Sequence, residues 1–174
     1  MFRLRYYNRR ITKENKFYDR AREVIKSYGI RFRMRWDRCS TYALSRESYV
    51  NIGMLSEKEQ GVISIQHFLS CVAHEIGHVL NYRNKKFFKY HNTHGKCNLT
   101  RDEYRIRLRD GLRGEIYTDK IGYQVMKEHF PEIRYLKGYT KANQEWYRTI
   151  FQKEDRENLR KANERVKHYR RHSG

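Results

Sequence analysis

His74, Glu75 and His78 form the pattern His-Glu-x-x-His in the middle of an apolar segment. Residues four apart share one face of a helix, so both imidazoles can point at a single metal ion while Glu75 flanks it. Neutral imidazole is a good zinc ligand, and zinc lowers the pKa of a bound water towards neutrality. Glu75 is then placed to accept that water's proton and to deliver it to a leaving amine. The pattern therefore predicts a zinc hydrolase in which Glu75 is the catalytic residue.

Chance seldom produces this pattern in a chain of this composition. The frequencies of His and Glu give roughly 0.03 expected occurrences over the whole chain. The motif also falls in an apolar helical run, which is the context that the mechanism needs. These two observations favour a metal site over a pair of ordinary, partly buried histidines.

A catalytic zinc takes three protein ligands and leaves one position for water, so a third ligand is needed. One candidate is Glu115, which lies four residues before Asp119 on the same face of a predicted helix. Glu115 could bind zinc while Asp119 accepts a hydrogen bond from a ligand histidine and sets its tautomer. The other candidate is His94, which lies 16 residues after His78. The residue types leave this choice open.

The segments HEIGHVL and GEIYTDKIGYQVM resemble the gluzincin class of zinc metallopeptidases. The resemblance covers about residues 70–82 and 112–126. The interval between the two segments is longer than in thermolysin-like enzymes, so the resemblance implies a compact, divergent member, similar to ImmA/IrrE-type regulators. It implies one Zn²⁺ ion and the following roles: metal ligation by His74, His78 and Glu115, general base catalysis by Glu75, and orientation of a ligand histidine by Asp119.

Two other zinc-protease families match the chain less completely. The Spartan/SprT-like proteases, which cleave proteins crosslinked to DNA, have a third His followed by Gly, as His94 and Gly95 are here. The aromatic residue expected shortly after that pair is missing, so Glu115 remains the favoured third ligand. The extended metzincin pattern would need Gly and His where Asn81 and Asn84 stand. Because Asn is a poor zinc ligand, that partial match is interpreted as a coincidence.

The periodicity of apolar residues predicts the elements that must position these groups. Steps of three and four predict helices, and the alternation IRFRMRW predicts a strand with three arginines on one face. The spacing of Ser56 and Glu59 is that of a capping box, which predicts a start of the motif helix at Ser56, whereas Gly61 weakens that first turn and favours a start a few residues later. The predicted helices are 12–28, ended by Gly29, 56–80, 101–110 and 114–129, and the predicted strands are 30–36 and a strand or hairpin within 40–54.

These elements predict an α+β fold in which a small mixed sheet packs on the active-site helix. We expect a zincin-like metallopeptidase domain over residues 1–140 and a basic helical extension over 141–174 that packs on or flanks it. The strand at 30–36 suits the edge strand that borders the cleft in zincin folds and pairs with extended substrate. Residues 83–100 lack a clean period and are expected to form a long loop.

The chain is strongly basic, with 39 Lys and Arg against 20 Asp and Glu and a formal net charge of +19. The excess is greatest towards both ends, where tyrosines lie among the arginines. Such ends favour contact with nucleic acid, because arginine neutralises phosphate and tyrosine stacks on bases. The rival prediction is therefore a basic nucleic-acid-binding protein with a structural or decayed zinc site. Glu75 favours the enzyme, since a structural site has no use for that carboxylate.

Length and composition exclude several other classes. The 174 residues suit one domain, and aromatic residues at 14% exclude disorder throughout. A mean hydropathy of −1.06 excludes an integral membrane protein. Three cysteines cannot form a complete disulfide framework, and the first residues lack the apolar core of a signal peptide. We therefore expect a cytoplasmic protein, and the resemblance to metallopeptidases implies protein or peptide substrates.

Overall fold

The computed structural model describes residues 9–57, 60–84 and 101–136, with the backbone alone over 101–112, and single helical positions at 145, 149, 153, 157 and 160. Most of the loop expected at 83–100 and of the extension expected at 141–174 therefore lies outside the described residues. Within the described ranges the chain is of the α+β class. Its elements are helices α1 (Lys16–Ser27), α2 (Ile65–Arg83) and α3 (Arg101–His129) and strands β1 (Arg31–Arg35), β2 (Tyr42–Leu44), β3 (Tyr49–Gly53), β4 (Leu55–Ser56) and β5 (Gly61–Val62).

The first helix forms as predicted and ends at the expected glycine. The side chain of Asn15 caps α1 by accepting a hydrogen bond from the backbone N–H of Phe17 at 3.0 Å. Gly29 follows the helix with a φ of +65°, a left-handed conformation that glycine adopts without a steric penalty. The apolar face of α1 is buried through residues at steps of three and four: Phe17, Ala21, Val24 and Ile25.

The predicted strands form one mixed sheet in the order β1-β3-β2. β1 pairs in parallel with β3, and β2 pairs with β3 in the antiparallel direction. Phe32 and Met34 pack against the core, whereas Arg31 and Arg33 are exposed on the opposite face, as the alternation predicts. Both β1 and β2 are edge strands of this sheet. The edge strand that packs extensively on α2 is β2, so the predicted strand 30–36 lies at the opposite edge.

The motif helix begins later than predicted. α2 begins at Ile65, and the hydroxyl of Ser64 caps it by accepting a backbone N–H of the first turn at 3.3 Å. Ser56 instead lies in β4, which pairs with β5 in a two-stranded hairpin. Gln60 and Gly61 have φ angles of 51° and 142°, which a right-handed helix cannot contain. The helix start predicted at Ser56 was wrong because hairpin pairing takes precedence over the local capping signal.

Residues 101–129 form one continuous helix, α3, where the sequence predicts two helices separated near residues 111–113. A glycine inside a helix costs only about 1 kcal/mol relative to alanine. Tertiary packing can outweigh that cost, and α3 lies along α2 in extensive contact. The end of the helix before Pro131 agrees with the prediction.

The hydrophobic core lies between α1, the three-stranded sheet, α2 and the second half of α3. Its fully buried side chains include Phe17, Ile25, Ile52, Phe68, Leu69, Ile76, Met126 and Phe130. α2 is the central element, since it is buried on almost every side from Phe68 to Gly77. The motif is consequently held inside the fold and not on a solvated surface. Within the described residues, no helix combines the length and the apolar character needed to span a membrane.

Candidate metal centre

Two glycines allow α2 and α3 to approach closely at the level of the motif. A Cβ added at Gly77 would lie 2.5 Å from the backbone oxygen of Thr118, and one at Gly122 would lie 3.1 Å from the backbone oxygen of Ala73. The first spacing excludes any side chain, and the second leaves almost no room for one. This approach places the face of α3 that carries Glu115 directly against the motif histidines.

The structure brings together three of the predicted metal ligands. Oε2 of Glu115 lies 3.4 Å from Nε2 of His74 and 3.4 Å from Nε2 of His78. The candidate ligand atoms all lie within 4.8 Å of one another. A tetrahedral ion with bonds of about 2.0–2.1 Å places its ligand atoms about 3.3–3.4 Å apart. The two distances to Glu115 match this spacing, and the group formed by His74, His78 and Glu115 could therefore hold a metal ion.

Two carboxylate oxygens at this cluster are buried without a hydrogen-bond partner among the described residues: Oε2 of Glu75 and Oε2 of Glu115. A buried polar atom without a partner costs roughly 1–3 kcal/mol, and more when the group is charged. Native proteins seldom tolerate such atoms except where a ligand or catalytic role explains them. A cation beside Glu115 and a water beside Glu75 would satisfy both oxygens.

Asp119 contacts His74 on the side away from the cluster, as the sequence predicts. Nδ1 of His74 lies 2.8 Å from Oδ1 of Asp119, which leaves Nε2 to face the other ligands. The hydroxyl of Tyr135 donates to the same carboxylate oxygen at 3.1 Å, and both residues are buried. Tyr135 was missed because it follows α3 in an irregular segment, with no spacing relation to the motif. Gln66 of α2 holds that segment by donating to the backbone oxygen of Arg134 at 2.6 Å.

His78 is contacted from behind by a neutral group. Oγ1 of Thr118 lies 3.4 Å from Nδ1 of His78, and Thr118 is fully buried. The side-chain amide of Asn81 donates to Oγ1 of Thr118 and to the backbone oxygen of Gly114, both at 3.3 Å. Asn81 thus connects α2 to α3, a role unrelated to the glycine of the metzincin pattern. Thr118 was missed as well, although its position beside Asp119 on the predicted helix places it next to the site.

The charges at the cluster are strongly coupled. Burial lowers the pKa of His74, but the hydrogen bond to Asp119 and the nearby carboxylate of Glu115 outweigh it and raise that pKa to about 10. Burial raises the pKa of Glu75 to about 7. Burial would also raise the pKa of Glu115, but the nearby imidazole of His74 and the charge of His78 bring it below the ordinary value. In the metal-free protein, a proton shared by His74, Glu75 and Glu115 supplies positive charge. The carboxylates of Asp119 and Glu115, on the two sides of His74, require that charge.

Not every predicted site residue can be placed relative to this cluster. His94, the alternative ligand, lies outside the described residues. Of the cysteines, Cys71 is buried one turn before His74, and Cys39 is exposed. The basic segments 1–8 and 161–174 also lie outside the described ranges.

Similarity to known proteins does not extend this description. No protein-family model matches the chain, and neither a curated protein nor a solved structure is significantly similar to it. The case for a metal centre therefore rests on the distances, burial and hydrogen bonds of His74, His78, Glu115 and Asp119.

Proposed function

We propose that this protein is a zinc-dependent metallopeptidase with a compact, zincin-like fold of the gluzincin type. The observation that carries the proposal is the position of Glu115, whose Oε2 is 3.4 Å from Nε2 of each motif histidine. His74, His78 and Glu115 would hold one Zn²⁺ ion. Bound zinc supplies a Lewis acid that polarises a peptide carbonyl and lowers the pKa of water.

Glu75 is the residue proposed to move the proton. Its Oε2 is buried and has no hydrogen-bond partner among the described residues, so it is available to an attacking water. Burial raises the pKa of Glu75 to about 7 in the metal-free protein, and a carboxylate with a raised pKa holds and returns a proton more readily. In the hydrolysis, the water oxygen bonds to the carbonyl carbon as the C–N bond breaks, and Glu75 carries the proton to the leaving nitrogen.

Asp119 and Tyr135 are proposed to position His74. The carboxylate of Asp119 accepts a hydrogen bond from Nδ1 of His74, which directs the lone pair of Nε2 towards the metal. Tyr135 donates to the same oxygen of Asp119 and limits its rotation. Together they fix the tautomer and the ring orientation of one ligand.

The substrate is proposed to be a protein or peptide that binds in an extended conformation. The exposed edge of β2 is the natural pairing site, because β2 is the sheet edge that packs extensively on the motif helix. Backbone pairing along an edge strand holds a peptide independently of most of its side chains. We place the protein in the cytoplasm on the same proposal, since three cysteines cannot form a complete disulfide framework.

Metal content and hydrolysis of an unstructured protein such as casein, measured on matched variants, test this proposal. Wild type should contain about one zinc per chain, and Glu115→Ala should lose it. Glu75→Gln should keep zinc but lose hydrolysis, because the amide cannot accept the proton. The proposal is refuted if the wild type, purified without metal and then supplied with zinc, binds none. It is also refuted if Glu75→Gln retains full hydrolysis.

A second candidate is favoured by the net charge of +19. The protein would then be a DNA-associated protease similar to the Spartan/SprT-like family, or a non-catalytic nucleic-acid-binding protein that uses its basic N- and C-terminal segments. His94→Ala separates this candidate from the first. Loss of zinc from His94→Ala, with retention by Glu115→Ala, would transfer the third ligand to His94 and favour a DNA-linked substrate.

A further inference from the structure

The three-stranded sheet has an outer face that points away from the helices. We define this outer face by Arg31, Arg33, Tyr42, Leu44 and Tyr49. Tyr42 and Leu44 are 45% and 42% exposed, and both arginines are also exposed. Large apolar and aromatic side chains exposed side by side on one sheet face are often part of a binding surface.

The strand register arranges these residues in rows across the sheet. Tyr49 on β3 is paired with Arg31 on one side and with Leu44 on the other. In the next row, Asn51 lies between Arg33 and Tyr42. The arginines therefore lie along the β1 edge, whereas the tyrosines lie on β3 and β2. Tyr42 and Tyr49 are diagonal neighbours, at a separation of about 7–8 Å between such positions.

The outer face has a defined limit at one end. The turn after β1 crosses the sheet there, and a Cβ at Gly53 would lie 2.6 Å from the backbone of Cys39. The side chain of Asn51 is buried under this turn and donates to the backbone oxygen of Ser40 at 3.0 Å. The exposed part of the outer face is therefore confined to the row of Arg31, Tyr49 and Leu44 and to the two ends of the next row, Arg33 and Tyr42.

The positive charge of the outer face is not neutralised by its neighbours. Arg31 donates to the backbone oxygen of Glu47 at 3.2 Å, a contact that leaves its charge in place. Within the described part of the chain, the guanidinium of Arg33 forms no hydrogen bond or ion pair, while its backbone pairs with β3. The nearby carboxylate of Asp37 is bound at both oxygens by Arg35, at 2.8 and 2.9 Å. The outer face thus combines the guanidinium groups of Arg31 and Arg33 with the exposed ring of Tyr42 and the half-buried ring of Tyr49.

We propose that the outer face binds single-stranded nucleic acid, with phosphates along β1 and bases stacked on Tyr42 and Tyr49. Arginine neutralises phosphate, and aromatic side chains stack on bases of any sequence. Paired bases in a duplex do not expose their faces to such rings, which favours the single strand. The proposal uses none of the residues of the metal cluster; it uses side chains of β2, whereas the proposed peptide substrate pairs with the backbone edge of that strand.

Fluorescence anisotropy of a labelled oligothymidylate, titrated with the full chain, tests the charge requirement. A plot of the logarithm of the binding constant against the logarithm of the salt concentration has a negative slope. The double variant Arg31→Ala/Arg33→Ala should make this slope shallower by about 1.4, since each phosphate contact on a single strand contributes about 0.7. The matched control is Lys120→Ala/Lys127→Ala, which removes the same charge from exposed positions on α3. The control should change the slope by less than half as much.

Substitutions at Tyr42 test stacking without changing charge. Tyr42→Leu should weaken binding roughly 5- to 100-fold, whereas Tyr42→Phe should stay within about 2-fold of wild type, because phenylalanine keeps the ring. Zinc content and thermal stability of both variants should match wild type, which separates this test from that of the metal cluster. Tyr42 is an exposed residue on an edge strand, so neither change should prevent folding.

Three outcomes would overturn the proposal. In the first, the two double variants weaken binding equally, which would mean that binding reflects overall charge. In the second, duplex DNA binds as tightly as oligothymidylate and Tyr42→Leu has no effect. In the third, vesicles of anionic phospholipid bind with the same dependence on Arg31, Arg33 and Tyr42, which would make the outer face a membrane contact.

Discussion

Gly77→Ala should disrupt the metal centre without altering any proposed ligand. The added Cβ would lie 2.5 Å from the backbone oxygen of Thr118 and 3.1 Å from its Cγ2. The two helices would need to separate by about 0.5 Å at this point to restore even a short contact of 3.0 Å, and by about 0.9 Å for an ordinary one. Because the nearest atom is backbone, no side-chain rotation can relieve the contact.

Two quantities follow from this displacement. Overpacking in a close-packed interior costs about 1–3 kcal/mol of unfolding free energy, from which about 1 kcal/mol is recovered because alanine favours a helix over glycine. Metal ligands tolerate displacements of only about 0.2 Å. A shift of Glu115 by more than twice that distance relative to the histidines should weaken zinc binding about 10- to 100-fold, as loss of a supporting contact does in other sites.

Competition with a chromophoric chelator measures the zinc affinity, and urea unfolding measures the stability. The matched control is Gly114→Ala, where an added Cβ has nothing within 4 Å. The control should retain zinc affinity and gain about 0.5–1 kcal/mol of unfolding free energy. Wild-type affinity and stability in Gly77→Ala would refute the reasoning that close helix approach holds Glu115 against the histidines.

Three further predictions concern the groups behind the ligands. Asp119→Asn should weaken zinc binding about 10- to 100-fold in the same competition assay, and unchanged affinity would remove its orienting role. Tyr135→Phe should lower the unfolding free energy by about 1.5–3 kcal/mol, the value of a hydrogen bond to a charged acceptor, and should weaken zinc binding less than Asp119→Asn does. Urea unfolding that matches wild type would show that the 3.1 Å contact contributes nothing. In the metal-free protein, the pKa of His74 is raised from 6.5 to about 10, so its stabilisation is complete below pH 6.5 and is lost as the pH rises through 10. The thermal midpoint of the metal-free protein should therefore fall between pH 7 and 10, and a flat profile, or an equal fall in Asp119→Asn, would contradict this assignment.

Local spacing was enough to predict the parts of the site that lie on one element. The motif histidines share a face in any α-helix, and Glu115 and Asp119 do so on theirs, because residues four apart are neighbours on a helix surface. The alternation at residues 30–36 likewise predicted which side chains of β1 are exposed, since successive side chains of a strand point to opposite faces.

The start of α2 and the continuity of α3 could not be predicted in this way. The spacing at Ser56 favours a helix start, but pairing between β4 and β5 holds that residue in a strand. Gly111 and Gly114 favour a break in the helix, but α3 is continuous and lies in extensive contact with α2. In both cases, contacts distant along the chain outweigh local preferences of about 1 kcal/mol.

The sequence by itself determined that two imidazoles would share one helix face with a carboxylate flanking them, and that an acidic pair would share a face of another helix. Only the tertiary structure decided that these faces meet, because the meeting depends on the close approach at Gly77 and Thr118. It also decided that Tyr135 would complete the contact to Asp119, from a segment without a periodic signal. The physical reason is that backbone geometry sets spacing within a few residues, whereas the docking of one helix on another depends on packing across the whole core.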